Sequence, residues 1–231
     1  MKKTRKVKVI GAGGIGGYLL EPLCRYLSHT DDLVEVTVFD GDKFEERNRE
    51  RQRFTECENK AQHTVDQLKK DFPKIHFRAK DEYLTEDNII TSVRNDDVVF
   101  SCVDNHATRK LLSDRCEEVD NVTLISGGND YTDGNVIVYI RKDGKDVTKP
   151  PTQLHPKIAE PEDKNPGDLS DEDRQGCQQE AQENPQLLFA NLAIASSMCN
   201  CYYACEKNKV GFNQVYVDIL TQRMRPAPDS F

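Results

Sequence analysis

Five glycines in seven residues, Gly11-Ala12-Gly13-Gly14-Ile15-Gly16-Gly17, follow directly on the apolar run Lys6 to Ile10. Gly11, Gly13, Gly14 and Gly16 let a backbone turn sharply and come close to a phosphate. The helix that such a turn opens presents free N–H groups and the positive end of its dipole. Asp40 ends the next apolar run, 23 residues after Gly17, where a carboxylate accepts hydrogen bonds from ribose hydroxyls. Together these residues indicate an adenine nucleotide, and on their own they do not separate NAD from ATP.

The residues that follow favour a triphosphate. Asp40-x-Asp42-x-Phe44 leads into Asn48-Arg49-Glu50-Arg51-Gln52, and Lys60 comes soon after. A dehydrogenase has no use for an asparagine, an arginine and a lysine gathered beside its nucleotide. The charges of several phosphates require such fixed cations and donors. Asp104 follows another apolar run and sits where a carboxylate would hold Mg2+ against phosphates. Each residue also has an ordinary reading: Asn48 as a turn cap, Arg51 and Lys60 as solvated charges, Asp104 as the cap of the next helix. The ordered set is what points to nucleotide chemistry.

The elements that must position these residues alternate. Lys6 to Ile10, Leu33 to Phe39, Ile75 to Ala79, Asp97 to Cys102 and Val122 to Ser126 read as strands. Between them Ile15 to Leu27, Lys60 to Lys70 and His106 to Glu118 carry helical periodicity. This predicts an α/β, Rossmann-like fold: a mostly parallel central sheet with helices on both faces. Asn135 to Ile140 alternates like an antiparallel addition, and Asn213 to Leu220 reads as a closing edge strand, giving a C-terminal antiparallel extension. From Lys142 to Asn184 the chain is rich in proline and acid and poor in apolar residues, as in a mobile crossover. Leu187 to Tyr203 is a helix apolar on more than one face, to be buried in the fold or against another subunit. Residues 1–231 thus read as a single domain with a flexible crossover at about 142–184.

Composition sets bounds on partners. A formal net charge of -8 argues against general affinity for nucleic acid or anionic membrane. The basic start, Lys2, Lys3, Arg5 and Lys6, lacks the apolar core of a signal peptide, and no run is long enough to span a bilayer. A cytoplasmic location is the expectation. Eight cysteines include no C-x-x-C pair, so no structural zinc is expected, and free thiols are the expectation for most of them.

The order G-x-G-G-x-G, D-x-D-x-[apolar]-x-x-x-N-x-x-R-Q, lysine, D-N-x-x-T-R over Val7 to Ile140 resembles the ThiF/MoeB/HesA superfamily and the adenylation domains of ubiquitin-activating enzymes. The resemblance implies an ATP-dependent adenylyltransferase that activates the C-terminal glycine carboxylate of a small ubiquitin-like, β-grasp protein, giving an acyl-adenylate and pyrophosphate. It assigns Asp40 to the ribose, Asn48, Arg51 and Lys60 to the triphosphate, and Asp104 to Mg2+ and the adenylation centre. Asp42, Gln52 and Asn105 fall on the same motifs and are counted with the nucleotide site. A homodimer is implied too. The tail, Cys177-Gln178-Gln179-Glu180-Ala181 and then Gln186-Leu187-Leu188-Phe189-Ala190-Asn191, is similar to the ThiF-like proteins of PRTRC gene clusters.

Some relatives pass the acyl group to a cysteine. Cys177, in the crossover, is the candidate for such a thioester, with a free surface thiol as the alternative. The acidic stretch Glu160 to Asp173 either covers a basic partner tail or is simply solvated. The interval from Arg51 to Lys60 is shorter than in biosynthetic relatives, and an N-terminal helix that in relatives lends an arginine to the neighbouring subunit's site is missing, with Arg5 as the substitute. Two competing readings are an NAD-dependent oxidoreductase on the same sheet and a non-catalytic ThiF-like scaffold.

Overall fold

Runs of β-branched residues build the sheet, and the turns at its carboxyl edge carry the candidate chemistry. A computed structural model of the chain describes residues 4–44, 59–169 and 188–227. Strand β1 (Thr4–Ile10) leads through the glycine turn into helix α1 (Gly14–Leu27). Then come β2 (Leu33–Phe39), α2 (Lys60–Asp71), β3 (Ile75–Lys80) and the short α3 (Glu86–Ser92). β4 (Asp97–Ser101), α4 (His106–Glu118) and β5 (Val122–Asn129) complete a parallel unit of order β3-β2-β1-β4-β5. β6 (Asp133–Lys142) pairs antiparallel with β5. β8 (Gln214–Asp218) and β9 (Arg223–Pro226) continue the sheet in antiparallel sense, and the two-residue β7 (Lys145–Asp146) pairs with β6.

The helices divide between the two faces. One core gathers Val7, Val9, Val36 and Val38 of the sheet with Ile15, Leu19 and Leu23 of α1, Val65 and Leu68 of α2, and Ile194 and Met198 of α7 (Leu188–Glu206). The other gathers Ile10, Phe39, Val99 and Leu124 with Ile89 of α3 and Leu112 and Cys116 of α4. The predicted layers are therefore present. Burial of these apolar faces is the main favourable term in the fold. Among the described residues, no helix is long and apolar enough to cross a membrane.

Two expectations change. The acid- and proline-rich crossover is built, as far as Leu169, from packed pieces. Helices α5 (Pro151–Leu154) and α6 (Pro156–Ala159) each begin on a proline, whose fixed φ suits a first helical residue. Ile158 is 2% exposed, and buried Asn165 donates to the Leu84 carbonyl at 2.8 Å. The rest of the stretch lies outside the described residues. The closing strand β8 is not the edge of the sheet, because β9 pairs with it from Val215↔Pro226 to Asp218↔Arg223. Arg5 is the second residue of β1, at the amino end of the sheet and away from the glycine turn. It is held there by Asp32, Glu206 and Tyr202. A side chain so anchored does not reach the glycine turn of its own chain.

Candidate active site

The strand order reverses direction between β1 and β4, and the crevice at the carboxyl ends of such a pair is where open α/β sheets hold ligands. Gly11 leaves β1 with φ +91°, a conformation that disfavours any side chain, and donates to the Phe39 carbonyl at 2.8 Å. Cys102, leaving β4, donates to the Ile10 carbonyl at 2.8 Å. A Cβ on Gly16 would lie 1.9 Å from the Gly11 carbonyl oxygen, so the helix can double back this closely only with glycine there. Helix α1 starts at Gly14 with Gly13 as its N-cap and no side-chain cap, so among the described residues no carboxylate or hydroxyl covers its first-turn N–H groups.

Asp40 stands over this turn. It is 9% exposed, accepts from Ala12 N at 2.7 Å through Oδ2, and accepts from Asp42 N at 2.9 Å through Oδ1. Burial pushes its carboxyl up to about 6, against the opposing pull of Lys60, with a further push from Asp42. Lys60 is the first residue of α2 and only 7% exposed, and its Nζ donates to Asp42 Oδ2 at 2.9 Å. Burial alone would lower the lysine, but Asp40, then Asp42 and Asp104, raise it above the ordinary value. Asp42 is turned to Lys60 and to the Tyr83 hydroxyl. Its part is to hold the cation.

Two further residues make this corner rigid. Asn59 caps α2 by accepting from Gln62 N at 2.9 Å. Its amide nitrogen donates to the Asp40 carbonyl at 2.6 Å, to the Asp42 carbonyl at 3.1 Å and to Asp81. The ends of β2 and β3 and the start of α2 are thereby joined.

Asp104 lies past β4, is exposed, and faces the site closely enough to act on both Lys60 and Arg109. The helix cap that its position allowed belongs instead to Asn105, whose Oδ1 accepts from Thr108 N at 2.7 Å. The structure thus brings Gly11, Gly13, Gly14, Gly16, Asp40, Asp42, Lys60, Asp104 and Asn105 to one edge of the sheet. Asn48, Arg51, Gln52 and Cys177 lie outside the described residues.

Arg109 stands at the same edge, and the motif left its role open. Its guanidinium donates to the Val103 carbonyl at 2.8 Å and to the Gly127 carbonyl at 3.2 Å. Burial lowers its pKa, with Asp104 and then Asp163 acting in the opposite sense. Asp163 was also missed. From the crossover, its two oxygens accept from His106 N at 2.7 Å and Ala107 N at 2.8 Å, the first turn of α4. A terminal arginine in D-N-x-x-T-R was the available signal for Arg109; Asp163 had none.

Cys24, Cys102, Cys116, Cys199, Cys201 and Cys205 are free. Burial pushes every one of these thiols up, Cys199 to about 11 and Cys24 to about 12. Such thiols carry little thiolate at neutral pH.

Residues 1–206 match the ThiF family. The chain is 32% identical over 146 residues to the adenylyltransferase and sulfurtransferase MOCS3 of Culex quinquefasciatus, a match covering 62% of this chain and 32% of that protein. It is 30% identical over 140 residues to the adenylyltransferase and sulfurtransferase UBA4 of Debaryomyces hansenii, covering 59% and 30%. The matched region is about a third of the length of these relatives. Among solved structures, E. coli MccB with MccA-N7isoASN superposes with a TM-score of 0.70 at 15% identity, covering 96% of this chain and 63% of that one. E. coli MccB with ATP gives 0.67 at 15% identity, covering 98% and 65%. At this identity the superpositions establish the shared fold.

Proposed function

The chain belongs to the ThiF family, and from that membership we propose that it is an ATP-dependent adenylyltransferase acting on the C-terminal carboxylate of a small ubiquitin-like, β-grasp protein. The observation that carries this reading is the meeting of Asp40, Lys60 and Asp104 beside an uncapped α1 N-terminus, from four separate stretches of sequence. A dinucleotide oxidoreductase has no task for Lys60 in that company. The two named relatives are adenylyltransferases as well as sulfurtransferases; the residues described in this chain support the adenylyl step.

In that reaction a carboxylate oxygen attacks the α-phosphorus of ATP, the bond to the β-phosphate oxygen breaks, and pyrophosphate leaves. Charge moves onto the leaving pyrophosphate, so fixed cations and N–H donors do most of the work. Asp40 orients the nucleotide through its ribose. The α1 N-terminus takes phosphate oxygens, and Lys60 turns from Asp42 to the phosphates, joined by Asn48 and Arg51. Asp104, an exposed carboxylate beside Lys60, is the residue that would hold Mg2+ against them. Arg109, fixed to two backbone carbonyls, sets the position of the loop that carries Asp104. Cys177 is the candidate thiol for onward transfer, and its replacement by alanine removes any thioester while leaving the adenylate step. Residence in the cytoplasm and homodimerisation complete the proposal.

The test is ATP–pyrophosphate exchange with a β-grasp protein ending in glycine. Exchange should require the partner, and Lys60→Met should reduce it on the order of a hundredfold. Absence of exchange with ATP-Mg2+, together with tighter binding of NAD than of ATP, would transfer the site to the oxidoreductase reading. Binding of the partner without exchange would make the protein a scaffold.

A further inference from the structure

Helices α1 and α7 run side by side in the same direction. At the amino end of the sheet Tyr202 of α7 packs edge-on to Tyr26 of α1 and meets Arg5. At the carboxyl edge Asn191, in the first turn of α7, meets Gly14, the first residue of α1. Asn191 is 0% exposed, and neither its Oδ1 nor its Nδ2 has a hydrogen-bond partner. A buried amide left unmet is costly, and a leucine of similar shape would fill this space without that cost. A Cβ on Gly14 would lie 2.7 Å from Asn191 Nδ2, so glycine at this position is what admits the amide to the start of α1.

Among the described residues, two sets of unmet groups therefore share one place: the uncapped N-terminus of α1 and a fully buried side-chain amide against it. An anion with several oxygens meets the donors of both, because one oxygen can accept from the helix N–H groups and from Asn191 Nδ2 at once. We propose that Asn191 is a nucleotide-binding residue, whose side-chain amide donates to a phosphate oxygen of the nucleotide seated at the α1 N-terminus. The inference rests on the ATP reading above and adds to it a contact from the far end of the chain. It also gives the glycine at position 14 a partner-specific reason.

The experiment is calorimetric titration of the full chain and of Asn191→Leu with ATP-Mg2+, AMP and adenosine, with melting temperatures measured without ligand. Asn191→Leu should melt at or above the wild-type temperature, since it removes an unmet buried amide. It should bind ATP and AMP about tenfold more weakly, the loss of one hydrogen bond to a charged group, and bind adenosine as the wild type does. Asn191→Ala and Asn191→Ser provide smaller replacements should leucine not fit, with serine expected to retain part of the phosphate affinity. Unchanged ATP affinity in these variants, or equal weakening of ATP and adenosine, would overturn the inference while leaving the ATP reading intact. Failure of the wild type itself to bind ATP would overturn the reading on which it rests.

Discussion

Asp40 is a carboxylate held where its charge is costly. Its folded pKa, raised to about 6 by burial, exceeds that of an unfolded aspartate, so the folded state holds this proton more tightly. The Asp40 contribution to stability is therefore greatest at low pH, declines as pH rises from the usual carboxylate range through about 6, and is constant above. The part proposed for Asp40 requires the ionised form, because only that form leaves both oxygens, each already on one backbone N–H, able to accept ribose hydroxyls as well. Accordingly kcat/KM for ATP should fall as pH drops through about 6, and the ATP-induced rise in melting temperature should be larger at pH 7.5 than at pH 5. Asp40→Asn should lower the rate at neutral pH and abolish this acid limb. A limb that persists unchanged in Asp40→Asn would assign it to another group. Residues of this kind were legible in sequence because the nearby backbone dictates them: a glycine turn and a carboxylate at a strand end recur at fixed offsets. Asn59, Asp163 and Asn191 were not, since their roles depend on contacts made only after folding, such as the pairing of Asp163 with Ala107 across 56 residues.

At the scale of elements, the glycine turn separates residues that have no room from one that has some. At Gly16 a methyl group would be driven into a backbone carbonyl that cannot yield without opening the turn. Gly17, one residue on, would place its Cβ 3.4 Å from the Ala12 carbonyl, a tight but tolerable contact, inside a helix where alanine is favoured over glycine by about 1 kcal/mol. Gly16→Ala should thus destabilise by more than ~3 kcal/mol in urea unfolding, whereas Gly17→Ala should fall between neutral and about 1 kcal/mol more stable. Equal losses at both positions would mean that the turn is governed by something other than this close approach. The same scale shows why other elements escaped sequence reading. Helix α3 has only seven residues, too few for a period, and its start at Thr85 depends on Asn88 accepting from Thr85 N at 2.9 Å. The pieces of the crossover are ordered by packing on α4, which composition does not report.

Over the whole molecule, the parallel sheet separates two tasks along its strands. Arg5 lies at the start of β1 and Gly11 leaves it, and six residues of strand at about 3.3 Å each put roughly 20 Å between them. At physiological ionic strength charges are screened over about 8 Å, so the charge of Arg5 has no direct effect on a nucleotide at the glycine turn of its own chain. Its work is to tie β1 to Asp32 in the loop after α1 and to Glu206 and Tyr202 at the end of α7. Burial would lower its pKa, and Glu206, Tyr202 and Asp32 together more than reverse this. The two carboxylates are about a quarter exposed, so water recovers part of what they lose when the arginine is removed. Arg5→Ala should therefore cost about 1–3 kcal/mol of stability, less than a fully buried network would. Its ATP dissociation constant should stay within about twofold of wild type, well under one hydrogen bond. Helix α7 makes this a sharp test, because it joins the Arg5 network at one end to Asn191 at the other. If α7 holds its place on the sheet through its buried residues Ile194, Met198 and Cys201, the nucleotide end should not register the loss. A drop in ATP affinity matching the drop in stability would instead show that the glycine turn and the foot of α7 move as one body.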